Sequence, residues 1–244
     1  MDVLTSMIKL LRSSLLYSLL IPLLLLTHKA TAQREIDRNS VVDFGLGLRT
    51  VVNSDLLSGG TFSSVTEGVT FSYSPRVTMA IDANIRFKLR GRFSLQTGIS
   101  SVRRGYFYSM EDNQTRFEDH IRLTSFQIPI TGIVQVPTSE RGKIGLEAGF
   151  VLDMLPTDAA SGTDSFQSFI YVSNRFNPAL RASAFYSQGL QNGGVIEIGA
   201  GYHRLLGGLG NFYMDFGPVG GGTVHSRTSL QGHFFYAGVS FIFP

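Results

Sequence analysis

Residues 75–89 read PRVTMAIDANIRFKL and carry the clearest strand pattern of the chain. Val77, Met79, Ile81, Ala83, Ile85, Phe87 and Leu89 alternate with Arg76, Thr78, Ala80, Asp82, Asn84, Arg86 and Lys88. A β-strand sends successive side chains to opposite faces, so the run has one apolar face and one wet face. A helix would scatter both sets.

The same period of two recurs outward from this run in both directions. Residues 41–52 place Phe44, Leu46 and Leu48 against Asp43, Gly45, Gly47 and Arg49. Further alternating segments lie at 93–108, 121–135, 143–155, 175–187, 195–205 and 231–243. The sixth, 175–187, has the weakest pattern, and its register stays open by one residue. Eight strands are therefore expected. The connections between them alternate in length: long at 53–74, 156–174 and 206–230, medium at 109–120, and short at 90–92, 137–142 and 188–194. Alternation of short turns with longer loops is the habit of outer-membrane barrels. An even strand number puts both ends of the barrel on the short-turn side.

Composition narrows the class. The 244 residues include no Cys and no Trp, 27 Gly, 19 Phe and 9 Tyr, and 16% are charged. Absence of Cys excludes disulfide scaffolds, Cys-ligated zinc, iron–sulfur clusters and a catalytic thiol. The low charge argues against disorder. The sequence pI of about 9.3 reflects a small excess of Lys and Arg. No basic helix or patch stands behind it, so nucleic acid is not an expected partner.

The first 32 residues read as a cleavable export leader. Lys9 and Arg12 precede a mostly apolar core from Leu15 to Leu26, and Ala30-Thr31-Ala32 supplies an A-x-A cleavage site. Such a core is too short to cross a bilayer as a helix. The expected organisation is a signal peptide at 1–32 cleaved near Ala32, a short linker at 33–40, and an outer-membrane β-barrel domain at 41–244.

A secreted β-sandwich would also show period-two strands. Two features favour a barrel. The apolar faces persist over the length that a tilted strand needs to cross a bilayer. The opposite faces carry charges throughout, which a lumen accommodates and a sandwich core does not. In the sandwich reading those charges face solvent.

Three local motifs resemble the PorT-like family of small outer-membrane β-barrels of Gram-negative bacteria. They are Phe93-Ser94-Leu95-Gln96-Thr97-Gly98-Ile99 with Arg103-Arg104-Gly105, then Phe126-Gln127-Ile128-Pro129-Ile130, and the closing strand Tyr236 to Phe243. The family pattern ends on an aromatic residue, whereas here Pro244 follows Phe243. The resemblance implies an eight-stranded antiparallel up-and-down barrel in the outer membrane. It also implies a protein partner in the envelope or in secretion machinery, beside the outer-membrane lipids.

The inward register names the candidate site. Arg49, Arg76, Arg86, Lys88, Arg104 and Arg181 project inward, as do Asp43, Asp82, Glu147, Asp153 and Glu197. An eight-stranded barrel is just wide enough for side chains to fill it, and buried charges need partners. A lumen-lining charge network that plugs the barrel is expected, with a small selective pore as the alternative. Tyr106, Phe107, Tyr108, Phe169, Tyr171, Phe212, Tyr213 and Phe235 lie near strand ends, where an interfacial girdle is expected.

Catalytic signatures are few. His120, His203, His225 and His233 follow no metal-ligand spacing, and no G-x-S-x-G elbow occurs. The glycine run at 217–222 has no Lys-Ser or Lys-Thr after it. No cofactor, metal or catalytic residue is assigned. The leading expectation is a non-enzymatic, porin-like scaffold whose long loops bind a partner. A lipid-modifying barrel enzyme stays open, with His203 or His233 beside Ser229 or Ser240 as its reacting pair.

Overall fold

The computed structural model describes residues 41–54, 61–113, 115–163, 166–191, 193–217 and 222–243. The expected leader at 1–32 and linker at 33–40 lie outside the described residues. The chain is all-β. Its strands are β1 (Val42–Asn53), β2 (Phe62–Thr66), β3 (Val69–Arg76), β4 (Thr78–Lys88), β5 (Phe93–Glu111), β6 (Arg116–Pro137), β7 (Gly142–Met154), β8 (Ala159–Thr163), β9 (Phe166–Val172), β10 (Phe176–Gly189), β11 (Val195–Leu205), β12 (Gly210–Phe216), β13 (Val224–Leu230) and β14 (Phe234–Phe243).

Eight of these close a ring in the order β1-β4-β5-β6-β7-β10-β11-β14, each antiparallel to the next, and β14 pairs back onto β1. They coincide with the eight alternating segments. The ring's stagger follows from its registers. In one direction Leu48 pairs with Ile81, Ile81 with Ser101, Ser101 with Phe126, and Phe126 with Met154. In the other, Leu48 pairs with Val239, Val239 with Ile198, Ile198 with Tyr186, and Tyr186 with Ile144. The two paths meet on β7 ten residues apart, 154 against 144, so the shear number is 10. A stagger of this size in eight strands sets a tilt of about 40° and a lumen that side chains can fill.

The outer wall is apolar. Leu46, Ile81, Ile130, Leu146, Phe150 and Ile198 are each more than half exposed. From Phe126 to Val136, β6 rises about 25 Å at about 3.3 Å per residue and that tilt, the height of a transmembrane barrel's apolar band. Short turns at 90–92, 138–141 and 190–194 lie at one end with the start of β1 and the end of β14. In the sixth segment, Phe176, Leu180 and Tyr186 face outward on β10 and Asn177, Arg181 and Ser187 are buried inward.

At the other end the three long connections are strands rather than loops. β2 and β3 form a hairpin, and β3 continues the sheet along the upper half of β5. The β5–β6 hairpin rises to Glu111 and Arg116, so the expected medium loop at 109–120 shrinks to a turn. The other two long connections supply β8, β9, β12 and β13, a separate four-stranded sheet in the order β13-β12-β9-β8.

These two sheets bury an apolar core over the barrel mouth. It contains Phe71, Tyr73, Tyr106, Tyr108, Met110, Ile121, Leu123, Leu155, Ile170, Phe212, Met214 and Phe216. Phe212 meets Tyr73 at 5.7 Å and Tyr108 at 5.8 Å edge-on, while Phe117 and Phe166 stack at 4.5 Å. Three residues expected in an interfacial girdle, Tyr106, Tyr108 and Phe212, are thus fully buried in this cap. Their strands continue past the apolar band, so inward positions there face the opposite sheet. Tyr171, Phe169 and Phe235 are exposed.

Candidate functional site

The lumen is the site that the strand register builds. Inward positions alternate along every barrel strand, and five basic and five acidic side chains from the expected set meet there in pairs. At the turn end, Lys88 Nζ lies 2.8 Å from Asp43 Oδ1. Beside it Arg86 donates from both terminal nitrogens to both oxygens of Glu197, each at 2.8 Å, and its Nη2 also donates to Gln96 Oε1 at 2.9 Å. Glu197 further accepts from Ser187 Oγ at 3.0 Å.

In the middle belt Arg49 is paired with Asp82 through Nε and Nη2 and donates to Ser100 at 3.2 Å. Arg181 lies 3.5 Å from Glu147 and donates to Tyr236 Oη at 2.8 Å. The Tyr236 ring has the guanidinium carbons of Arg49 and Arg181 at 4.6 and 4.9 Å from its centroid. At the cap end Arg104 bonds Asp153 Oδ2 and Ser125 Oγ, both at 2.7 Å. Gln127 reaches the same Asp153 oxygen at 2.9 Å, and His203 Nε2 stands 3.3 Å from it. Phe234 stacks on the His203 ring at 4.5 Å.

Apart from Lys88, these charged side chains are almost entirely shielded from solvent. Inward glycines give them room. A Cβ on Gly238 would come within 2.7 Å of Arg49 Cγ, and one on Gly201 within 2.5 Å of the Tyr236 hydroxyl. A Cβ on Gly145 would collide with the ring of Phe185, which lies 5.8 Å from the Arg86 guanidinium carbon. Phe185, Gln96, Gln127, Ser125 and Tyr236 were absent from the expected network. They share the inward parity of the charged residues, which was the available signal.

Arg76 departs from the expected lumen set: it is exposed. Buried residues are even-numbered on β4 (Ala80, Asp82, Asn84, Arg86) and odd-numbered on β3 (Val69, Phe71, Tyr73). The parity changes at Val77, between the two strands. Arg76 then pairs with Gly105, whose neighbours Arg104 and Tyr106 point inward, and so it takes the outer register.

The His203–Ser240 pair is not assembled. Its partner on β14 is Phe234, and Ser240 lies six residues further along that strand, about 20 Å away. His233 Nδ1 accepts the amide of Leu205 at 3.2 Å. Among the described residues no group of three His, Asp or Glu side chains has a metal-binding arrangement.

The fold is that of an outer-membrane-type barrel. No family model matches the chain, and no curated protein matches it. Several solved structures are similar to this chain. The outer membrane protein OprG from Pseudomonas aeruginosa matches with a TM-score of 0.49 at 8% identity, over 83% of this chain and 95% of that one. The translocator domain of the autotransporter NalP from Neisseria meningitidis matches at 0.41 and 16% identity, over 86% and 91%. The outer membrane protease OmpT from Escherichia coli matches at 0.39 and 9% identity, over 83% and 95%.

Proposed function

We propose that this chain is a non-enzymatic scaffold of the bacterial outer membrane, its lumen plugged by ion pairs and its cap presented to a protein partner. The observation that carries the reading is the pairing of the inward charges. Ten charged side chains form five pairs along the barrel, with an apolar core above them. A conducting path needs a continuous polar opening, and an apolar core over the mouth supports a closed barrel. In this reading the chain is exported by a leader cleaved near Ala32. Lipid solvates the apolar band, and the cap faces outward.

The cap's outer face supports the partner role. Phe169, Tyr171 and Tyr213 lie together on β9 and β12, with Arg227 over the Tyr213 ring at 5.5 Å. Phe169 and Tyr171 are exposed and Tyr213 is half-buried, and aromatics beside an Arg are the composition of a protein-binding hot spot. The PorT-like resemblance points to a partner in the envelope or in secretion.

Planar-bilayer recording of the purified protein tests the plug. The wild type is expected to be silent, and steady single-channel steps would overturn the plug. Photocrosslinking in cells from position 171 is expected to capture a protein, whereas position 150 in the lipid band captures none. Equal labelling at both positions would remove the cap as the docking face.

A further inference from the structure

We propose that Arg76, Arg103 and Arg122 form a binding site for the phosphate of a lipid headgroup, on the outer wall just above the apolar band. The site follows from register. Gly105 on β5 pairs with Arg76 on one side and with Arg122 on the other. Arg103 lies two residues down β5 on the same outward parity. Neighbouring strands are about 4.8 Å apart, so the two flanking Cα atoms are about 10 Å apart. Gly105 puts no side chain between them. The three arginines thus flank Gly105, where only the Thr78 methyl stands close, 3.2 Å from the place a Cβ would take. Thr78 also donates from Oγ1 to the Arg103 carbonyl at 2.5 Å.

All three arginines are exposed, and none of them is paired with an acid among the described residues. This contrasts with the lumen, where every Arg named above has a carboxylate. Directly below, the outward ladders turn apolar: Met79 and Ile81 on β4, Ile99 on β5, Phe126 and Ile130 on β6. Outward acids begin again at Glu118, four residues above Arg122 on β6, where Glu118 is taken by Arg116. A cationic group without counter-charge at the top of a lipid-facing wall meets headgroups. Guanidinium forks suit phosphate oxygens in bidentate geometry. The occupant is thus the phosphate of a membrane lipid whose chains lie along Met79, Ile99 and Phe126. This rests on the membrane placement proposed above.

The test uses the full mature chain folded in maltoside micelles. Each variant is first checked for a heat-dependent gel shift, which reports the barrel separately from the site. Native mass spectrometry then follows retention of short-chain phosphatidic acid against the matching diacylglycerol. Wild type is expected to retain the phospholipid at least tenfold more tightly. The triple variant Arg76→Gln, Arg103→Gln, Arg122→Gln is expected to lose that preference, while Arg90→Gln with Arg92→Gln, at the turn end, keeps it. If the triple variant gives no heat shift, the single variants Arg103→Gln and Arg122→Gln are read instead, each expected to weaken retention several-fold. Equal loss in the turn-end variant, or an unchanged triple variant, overturns the site. Full displacement by inorganic phosphate at equal concentration overturns the lipid as its ligand.

Discussion

Arg86 on β4 and Glu197 on β11 face each other across the lumen and share two hydrogen bonds of 2.8 Å, although 111 residues separate them in the chain. The pair ties together strands that are not neighbours in the ring, so it fixes the bore as well as satisfying two charges. Buried pairs add little over a well-packed apolar substitute, yet removing one partner strands the other. Arg86→Ala is therefore expected to cost about 3–5 kcal/mol, and Arg86→Met with Glu197→Leu to recover most of it. Urea unfolding in lipid vesicles, followed by the heat-shift gel, measures both. Equal losses in the single and double variants would show that the pair does not hold the bore.

Phe212 belongs to the cap, not to the barrel wall. Phe212→Ala removes an aromatic side chain touching Tyr73, Tyr106 and Tyr108, at a cost of about 3–5 kcal/mol. The loss is expected to stay local. Protease should cut within 206–230 faster, while the gel shift of the barrel is retained. Simultaneous loss of both would mean that cap and barrel unfold as one unit.

Gly145 and Phe185 share one volume. Gly145→Ala drives a methyl into the Phe185 ring and is expected to cost about 1–3 kcal/mol. Phe185→Ala costs energy alone by leaving a cavity. Combined, the two should cost less than their sum, since the methyl then has space. A double-mutant cycle in urea reads the coupling, and strict additivity would place the clash elsewhere.

Asp119 links β6 to the cap sheet. It accepts from Ser161 Oγ on β8 at 2.5 Å and from the Tyr108 hydroxyl at 3.3 Å. The Ser161 bond, with smaller help from the backbone and Tyr108, holds its carboxyl below the ordinary carboxylate range. A depressed folded-state value means the contribution is complete above the unfolded pKa, about 3.9, and is lost as pH falls through the lower folded one. Pepsin cleavage of β8 should therefore accelerate below about pH 4 in the wild type, relative to Asp119→Asn at the same pH. Parallel profiles for the two proteins would exclude Asp119 as the link.

Much of this was legible in one dimension, because period two is a local property. Alternation along 75–89 and its seven counterparts announced eight long strands with one apolar and one charged face. It also placed ten of eleven candidate charges on the inward register. Arg76 was misplaced for a local reason too: the parity change at Val77 leaves no mark in a sequence that goes on alternating.

The partners of those charges were not legible. Which acid meets Arg86 depends on a shear of ten and on which strands the closed ring sets face to face. Both are sums over every pairing in the barrel. The cap was hidden for the same reason. Segments 53–74, 156–174 and 206–230 are long and largely polar, the last of them glycine-rich, and each alone lacks the apolar surface to announce a strand. Only when they meet over the barrel mouth do Phe71, Ile170 and Phe212 find one another and make a core. Strands and their two faces are local properties, each set by neighbours two residues apart. Tertiary structure alone decided the ion-pair partners, the capped mouth and the outward turn of Arg76, since each depends on contacts between segments distant in the chain.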